Sequence, residues 1–154
     1  MKTAHRQDSH AKRRWQADPI SIFKTFSKIQ LFTPEEQAIL AVPPRLAFEK
    51  LKNGHGTQED FDTLAIAVNV TMVLSEKIGV FAEQSAIAAR DAMIRALERH
   101  KRLGRWGFDA VALQDIAIAL DVHDQLLALL TPLQITEAAK EVDRRKEDGE
   151  FIEV

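Results

Sequence analysis

Apolar positions recur at helical spacing along the chain, and prolines, glycines and capping residues cut the pattern into segments of helical length. Asp18-Pro19 sets an N-cap residue before a proline at the first helical position and predicts a helix over 20–32. Thr33-Pro34-Glu35-Glu36 repeats that opening and adds a capping box, with Glu36 able to reach back to the Thr33 amide. The short helix it starts is expected to stop at Pro43-Pro44, with a second opening at Pro44, running over 45–52 and closed by Asn53-Gly54. Thr57 then caps a long segment to position 78, with Glu59, Asp60 and Asp62 near its positive end, and Gly79 breaks it. Further helices are expected over 82–103, ending at Gly104; from the Asp109 cap to 130, where Thr131-Pro132 breaks the chain; and over 136–147.

Two of these segments are apolar nearly all round. The stretch 65–74 and most of 111–130 place large side chains on every helical face, which marks helices surrounded by others. The β-branched run from Val68 to Val73 fits a strand, but the caps and the distance between breakers fit a helix better. The expected fold is therefore an all-α, compact bundle of six or seven helices with two central apolar helices. Residues 1–17 read as a flexible basic arm, 18–148 as one helical domain, and 149–154 as a frayed end. Asn69, alone in the most apolar helix, reads as a register-setting buried amide.

Composition narrows the chemistry. The 154 residues include no cysteine, which removes disulfides, thiolate metal sites and cysteine nucleophiles. No stretch approaches ~20 uninterrupted apolar residues and the first fifteen lack the apolar core of a secretory signal, so a cytoplasmic protein with no membrane span is expected. The net charge of −2 is an average over unlike regions. Residues 1–14 carry 5 basic and 1 acidic group, 15–89 carry 6 and 9, 90–105 carry 6 and 2, and 106–154 carry 4 and 11. Two basic segments and an acidic C-terminal third thus sit inside one near-neutral number.

The clearest charged pattern is an arginine row. At ~100° per residue, Arg95, Arg99 and Arg102 share one helical face opposite Ala86, Ala89, Met93, Ile94 and Leu97, with Arg105 and Trp106 just beyond. Such a row fits a phosphate backbone or an acidic protein surface, with Trp106 as an anchor; the plainer reading is a solvated face that complements the helix dipole. In the N-terminal arm, Arg6, Lys12, Arg13 and Arg14 are candidates for nucleic-acid contact.

Positions 113–130 match a helix-turn-helix in apolar spacing, with Ala117 at the helix contact and Leu120 and Val122 flanking a turn at Asp121. One uninterrupted core helix produces the same spacing, and His123, Asp124 and Gln125 would make a poor phosphate-facing surface. Asp121, His123 and Asp124 also contain the His-Asp pair of HD-type metal hydrolases, but no helical metal spacing accompanies them. Asp115 and His123 fall on the apolar arc and read as buried polar groups in need of partners. No catalytic residue, metal site or cofactor is expected.

Gly56 with Asp60-Phe61-Asp62 leading into 64–69, Gly104-Arg105 after an arginine-rich helix, and Leu120-Asp-Val-His-Asp124 before a charged terminal helix form a diffuse pattern over 45–148. In it the chain resembles small uncharacterised α-helical proteins of proteobacterial phages, prophages and plasmids. The resemblance implies an accessory role such as host-protein inhibition, defence evasion or gene regulation. The expectation is a non-enzymatic protein that binds a macromolecule, foremost a protein, through a charged helical face. The alternatives are a DNA-binding regulator using 113–130 and an HD-type hydrolase. Monomer and homodimer both stay open.

Overall fold

The computed structural model describes residues 30–154, and within them the chain forms five α-helices and no strand. α1 spans Pro34–Lys52, α2 Gln58–Ser75, α3 Val80–Leu103, α4 Ala110–Leu129 and α5 Pro132–Arg145, with a 3-10 turn at Lys146–Asp148. Helices begin where side chains satisfy the first-turn N–H groups. Thr33, Thr57 and Thr131 form capping boxes with Glu36, Asp60 and Gln134, and Asp109 accepts from the Ala112 amide. Gly104 ends α3 in the left-handed region at φ 69°, a conformation that favours glycine. Among the described residues no helix is long and apolar enough to cross a membrane.

Among the described residues one helix fewer is present than the sequence predicts there, for a definite reason. Pro43 and Pro44 do not separate two helices; both lie inside α1. Each proline removes one N–H and so deprives the carbonyl four residues earlier of its partner. Those carbonyls belong to Ile39 and Leu40, which are exposed and so open to water. Toward the bundle Pro44, Ala47, Phe48 and Leu51 are buried, and burying side chains the size of Phe48 and Leu51 contributes about 1.5–3 kcal/mol each. Packing of that face keeps the helix continuous. α5 also starts earlier than expected, because Pro132 occupies its first position instead of breaking the chain. The expected helix over 20–32 falls mostly, and the arm 1–17 entirely, outside the described residues.

α2 is the axis of the bundle and packs against all four other helices; α4, the second apolar segment, packs against α1, α2 and α3. Two clusters fill the interior. One joins Phe48 and Leu51 of α1, Phe61, Leu64 and Val68 of α2, Met93 of α3 and Ile116 and Leu120 of α4. The other joins Val70, Val73 and Leu74 of α2 to Val122 and Leu126 of α4 and Ala138 and Val142 of α5. α3 meets α2 and α4 through small residues, with Ala86, Ala89 and Ala92 fully buried, which lets the backbones approach closely.

The expected frayed end is instead docked in its middle. Phe151 joins the second cluster and Ile152 the first. Asn69, 1% exposed, holds them: its Nδ2 donates to the Ile152 carbonyl at 2.9 Å and the Ile152 amide donates to its Oδ1 at 3.0 Å. A side-chain amide thus pairs with a backbone peptide as a neighbouring strand would. Removing it leaves two buried backbone groups without partners, each costing roughly 1–3 kcal/mol. Asn69→Ala should therefore lower the unfolding free energy by about 2–4 kcal/mol and speed hydrogen exchange at the Ile152 amide. Denaturant melts with exchange read by NMR check both; an unchanged Ile152 exchange rate contradicts the assignment.

Candidate functional site

The arginine row lies where its spacing placed it, on the outer face of the C-terminal half of α3. Ala86, Ala89 and Met93 are fully buried on the other side. Arg95 Nε and an Arg99 guanidinium nitrogen each stand 3.9 Å from Asp109 Oδ2, and Arg99 also donates to the Gly107 carbonyl at 3.4 Å. Asp109 Oδ1 meanwhile caps α4 through the Ala112 amide at 2.8 Å. One carboxylate therefore orients two guanidiniums at a distance too long for strong pairing. Arg102 and Arg105 are exposed and carry no ion pair among the described residues. Leu103, half exposed between them, adds an apolar element.

Trp106 is not part of that surface. It is 9% exposed and its ring lies between Phe61, at 4.5 Å between centroids, and His100, at 3.8 Å with nearly parallel planes. The left-handed turn at Gly104 directs the chain back toward the bundle, so the indole fills the first core cluster instead of anchoring a partner. The motif missed in the sequence is this three-ring stack, which joins α2, α3 and the loop before α4.

The helix-turn-helix reading of 113–130 is overturned. α4 runs unbroken through Asp121, and Leu120 and Val122, the expected turn flanks, are buried mid-helix residues. Asp121 and Asp124, one turn apart, instead face Arg45 of α1, which donates to each at 2.7 Å. Both carboxylates raise the Arg45 pKa, led by the hydrogen bond to Asp121. That clamp links α1 to α4 and places a guanidinium between the acids an HD-type centre would use. Among the described residues no group of three or more His, Cys, Asp or Glu is arranged to hold a metal. His123 is buried with Nδ1 3.3 Å from Asp124 Oδ1, and burial pushes its pKa down against the pull of that carboxylate. Asp115 is only partly buried and lines a shallow cleft with Phe81, Ser85 and Ala88; it does not meet His123. The arm residues Arg6, Lys12, Arg13 and Arg14 lie outside the described residues.

A cleft of about 510 Å³ opens between α2 and α5 over Val73, Leu74 and Ala138. Arg145 crosses it to Glu76 at 2.6 Å and is braced on its own helix by Glu141. Glu141 is held far below the usual carboxylate range, to about 2, by hydrogen bonds from Arg144 and then Arg145. Each of these shifts has an ion-pair partner in view, so the cluster reads as a latch between helices rather than an acid–base site. No family model, curated protein or solved structure is detectably similar to the chain.

The latch sets a pH dependence. Because the folded pKa of Glu141 is depressed, its stabilisation is present above the ordinary value of 4.5 and is lost as pH falls toward about 2. Glu141→Gln should melt earlier than wild type at neutral pH, and the gap should close across that window. A gap that stays constant in thermal melts from neutral pH to pH 2 rules the latch out.

Proposed function

We propose that this protein is a non-enzymatic interaction module that binds an acidic protein surface through the outer face of α3, with Arg95, Arg99 and Arg102 of that helix and Arg105, just beyond its Gly104 cap, as the contacts. One observation carries the reading: the arginines are oriented, yet hardly neutralised. Arg95 and Arg99 are aligned by a single shared carboxylate, and Arg102 and Arg105 project without an ion pair among the described residues. By contrast Arg45 and Arg145 each grip two acids at short range. Arginine suits this role because its planar fork binds carboxylates bidentately and is more weakly hydrated than an ammonium group. The helical backbone is already ordered before docking, so the ordering cost falls on the arginine side chains alone. Such a protein acts as an inhibitor or regulator, in keeping with the accessory roles that the resemblance to phage and plasmid proteins implies.

The cleanest test spares Arg99, which also supports the loop at Gly107. Arg102→Glu with Arg105→Glu should weaken capture of an acidic probe, polyglutamate, and of host proteins by at least about tenfold. The melting temperature should stay within about 2 °C, since neither side chain is engaged in the fold. Capture should survive nuclease treatment. Retention of duplex DNA in place of acidic protein, with a steep loss as salt rises, supports nucleic acid instead; unaltered capture by the double variant removes the face from consideration.

A further inference from the structure

We propose that α1 pairs antiparallel with α1 of a second copy, making this protein a two-fold dimer. The helix has two apolar sides. Pro44, Ala47, Phe48 and Leu51 face the bundle. Nearly opposite, Ile39 is 70% exposed, Val42 48% and Leu46 57%. With Glu35 before them and Lys50 after them, these positions fall within about 80° of arc at ~100° per residue, and their steps of three and four residues are those of a helix–helix seam.

Apart from Val42, whose counterpart is the exposed Pro43 at the edge of the arc, the seam is symmetric about its own midpoint. Placing two copies antiparallel about the Val42–Pro43 peptide sets Ile39 of one against Leu46 of the other and Val42 against Pro43. The same register brings Glu35 toward Lys50 at both ends, where opposite charges meet twice. Such self-complementarity is what a two-fold interface requires, and a different partner places no such demand on a sequence. Antiparallel helices also bring opposite dipole ends together. Lys50 already pairs with Asp60 at 2.9 Å, but its side chain is 57% exposed, so Glu35 of the second copy would share that ammonium group. Beside Leu46 a groove of about 400 Å³, floored by Pro43, Ala47 and Thr63, offers a seat for the incoming Ile39. Ile66, one turn along α2 from Thr63 and 55% exposed, extends the apolar patch.

Sedimentation equilibrium of the full chain tests this, with expectation of twice the mass of one chain at micromolar concentration. Leu46→Glu, and independently Ile39→Lys, should give monomers with unchanged helical circular dichroism, since both side chains already face solvent. Glu35→Lys, counted twice by symmetry, should weaken dimerisation about fivefold. A chain that stays monomeric up to high micromolar concentration overturns the proposal, as does a dimer indifferent to both seam variants. A monomer that dimerises only after removal of residues 1–29 assigns the stripe to that segment and overturns it equally.

Discussion

One buried amide organises the interior. Asn69 sits on α2 between Val68, which belongs to the upper core cluster, and Val70, which belongs to the lower. Its two hydrogen bonds to Ile152 fix the chain end across α2, and the neighbouring side chains then divide between the clusters, Ile152 in one and Phe151 in the other. Without the polar pair, the extended backbone at 151–152 would carry unsatisfied groups into an apolar interior. With it, the end of the chain closes both halves of the core. The Arg145–Glu76 contact works in the same direction from outside, because it ties α5, the element that delivers the tail, to the C-terminal end of α2.

Charge in this protein separates into engaged and unengaged groups, a distinction that residue tallies do not make. Asp121 and Asp124, counted in the acidic C-terminal third, are held by Arg45 from the N-terminal half of the described chain. Glu76 and Glu141 are likewise held by Arg145. Once those pairs are set aside, α3 keeps its positive row, offset by Asp109 at 3.9 Å and by the exposed Glu98 on the same helix. The segment sums point to α3 in sequence, and the structure adds which of the chain's acids are already committed to other cations.

Local rules read well here because the helix starts are local events. The Thr33, Thr57 and Asp109 caps and the Gly104 stop involve residues within one turn of each other, and their physics is complete in the sequence. The unbroken α4 was legible too, from the Asp109 cap to the break at Thr131-Pro132. Two features depend on distant partners and were not legible. Continuity of α1 through Pro43-Pro44 rests on the packing of Phe48 and Leu51, which offsets a local penalty. The docked tail rests on Asn69, eighty-three residues away along the chain. In the candidate site the arginines were visible from their helical period. Trp106 was not, because an aromatic residue after a charged helix looks the same whether the next turn exposes or buries it.

The two proposed surfaces do not compete for the same side of the molecule. α2 packs against both α1 and α3, and α1 and α3 are not among the principal helix pairs of the bundle. An α1 seam therefore joins two copies while each α3 face stays open. Two such faces on one rigid dimer convert a modest charged contact into bivalent binding wherever the target is itself repeated, because the second contact forms at a high effective concentration. Exposed charge pairs contribute roughly 0.2–1 kcal/mol each, so a four-arginine surface gains selectivity more readily than affinity. Duplication through α1 supplies the affinity without a larger apolar surface on α3, and it gives the exposed Ile39, Val42 and Leu46 a role in solution that the fold of one chain does not.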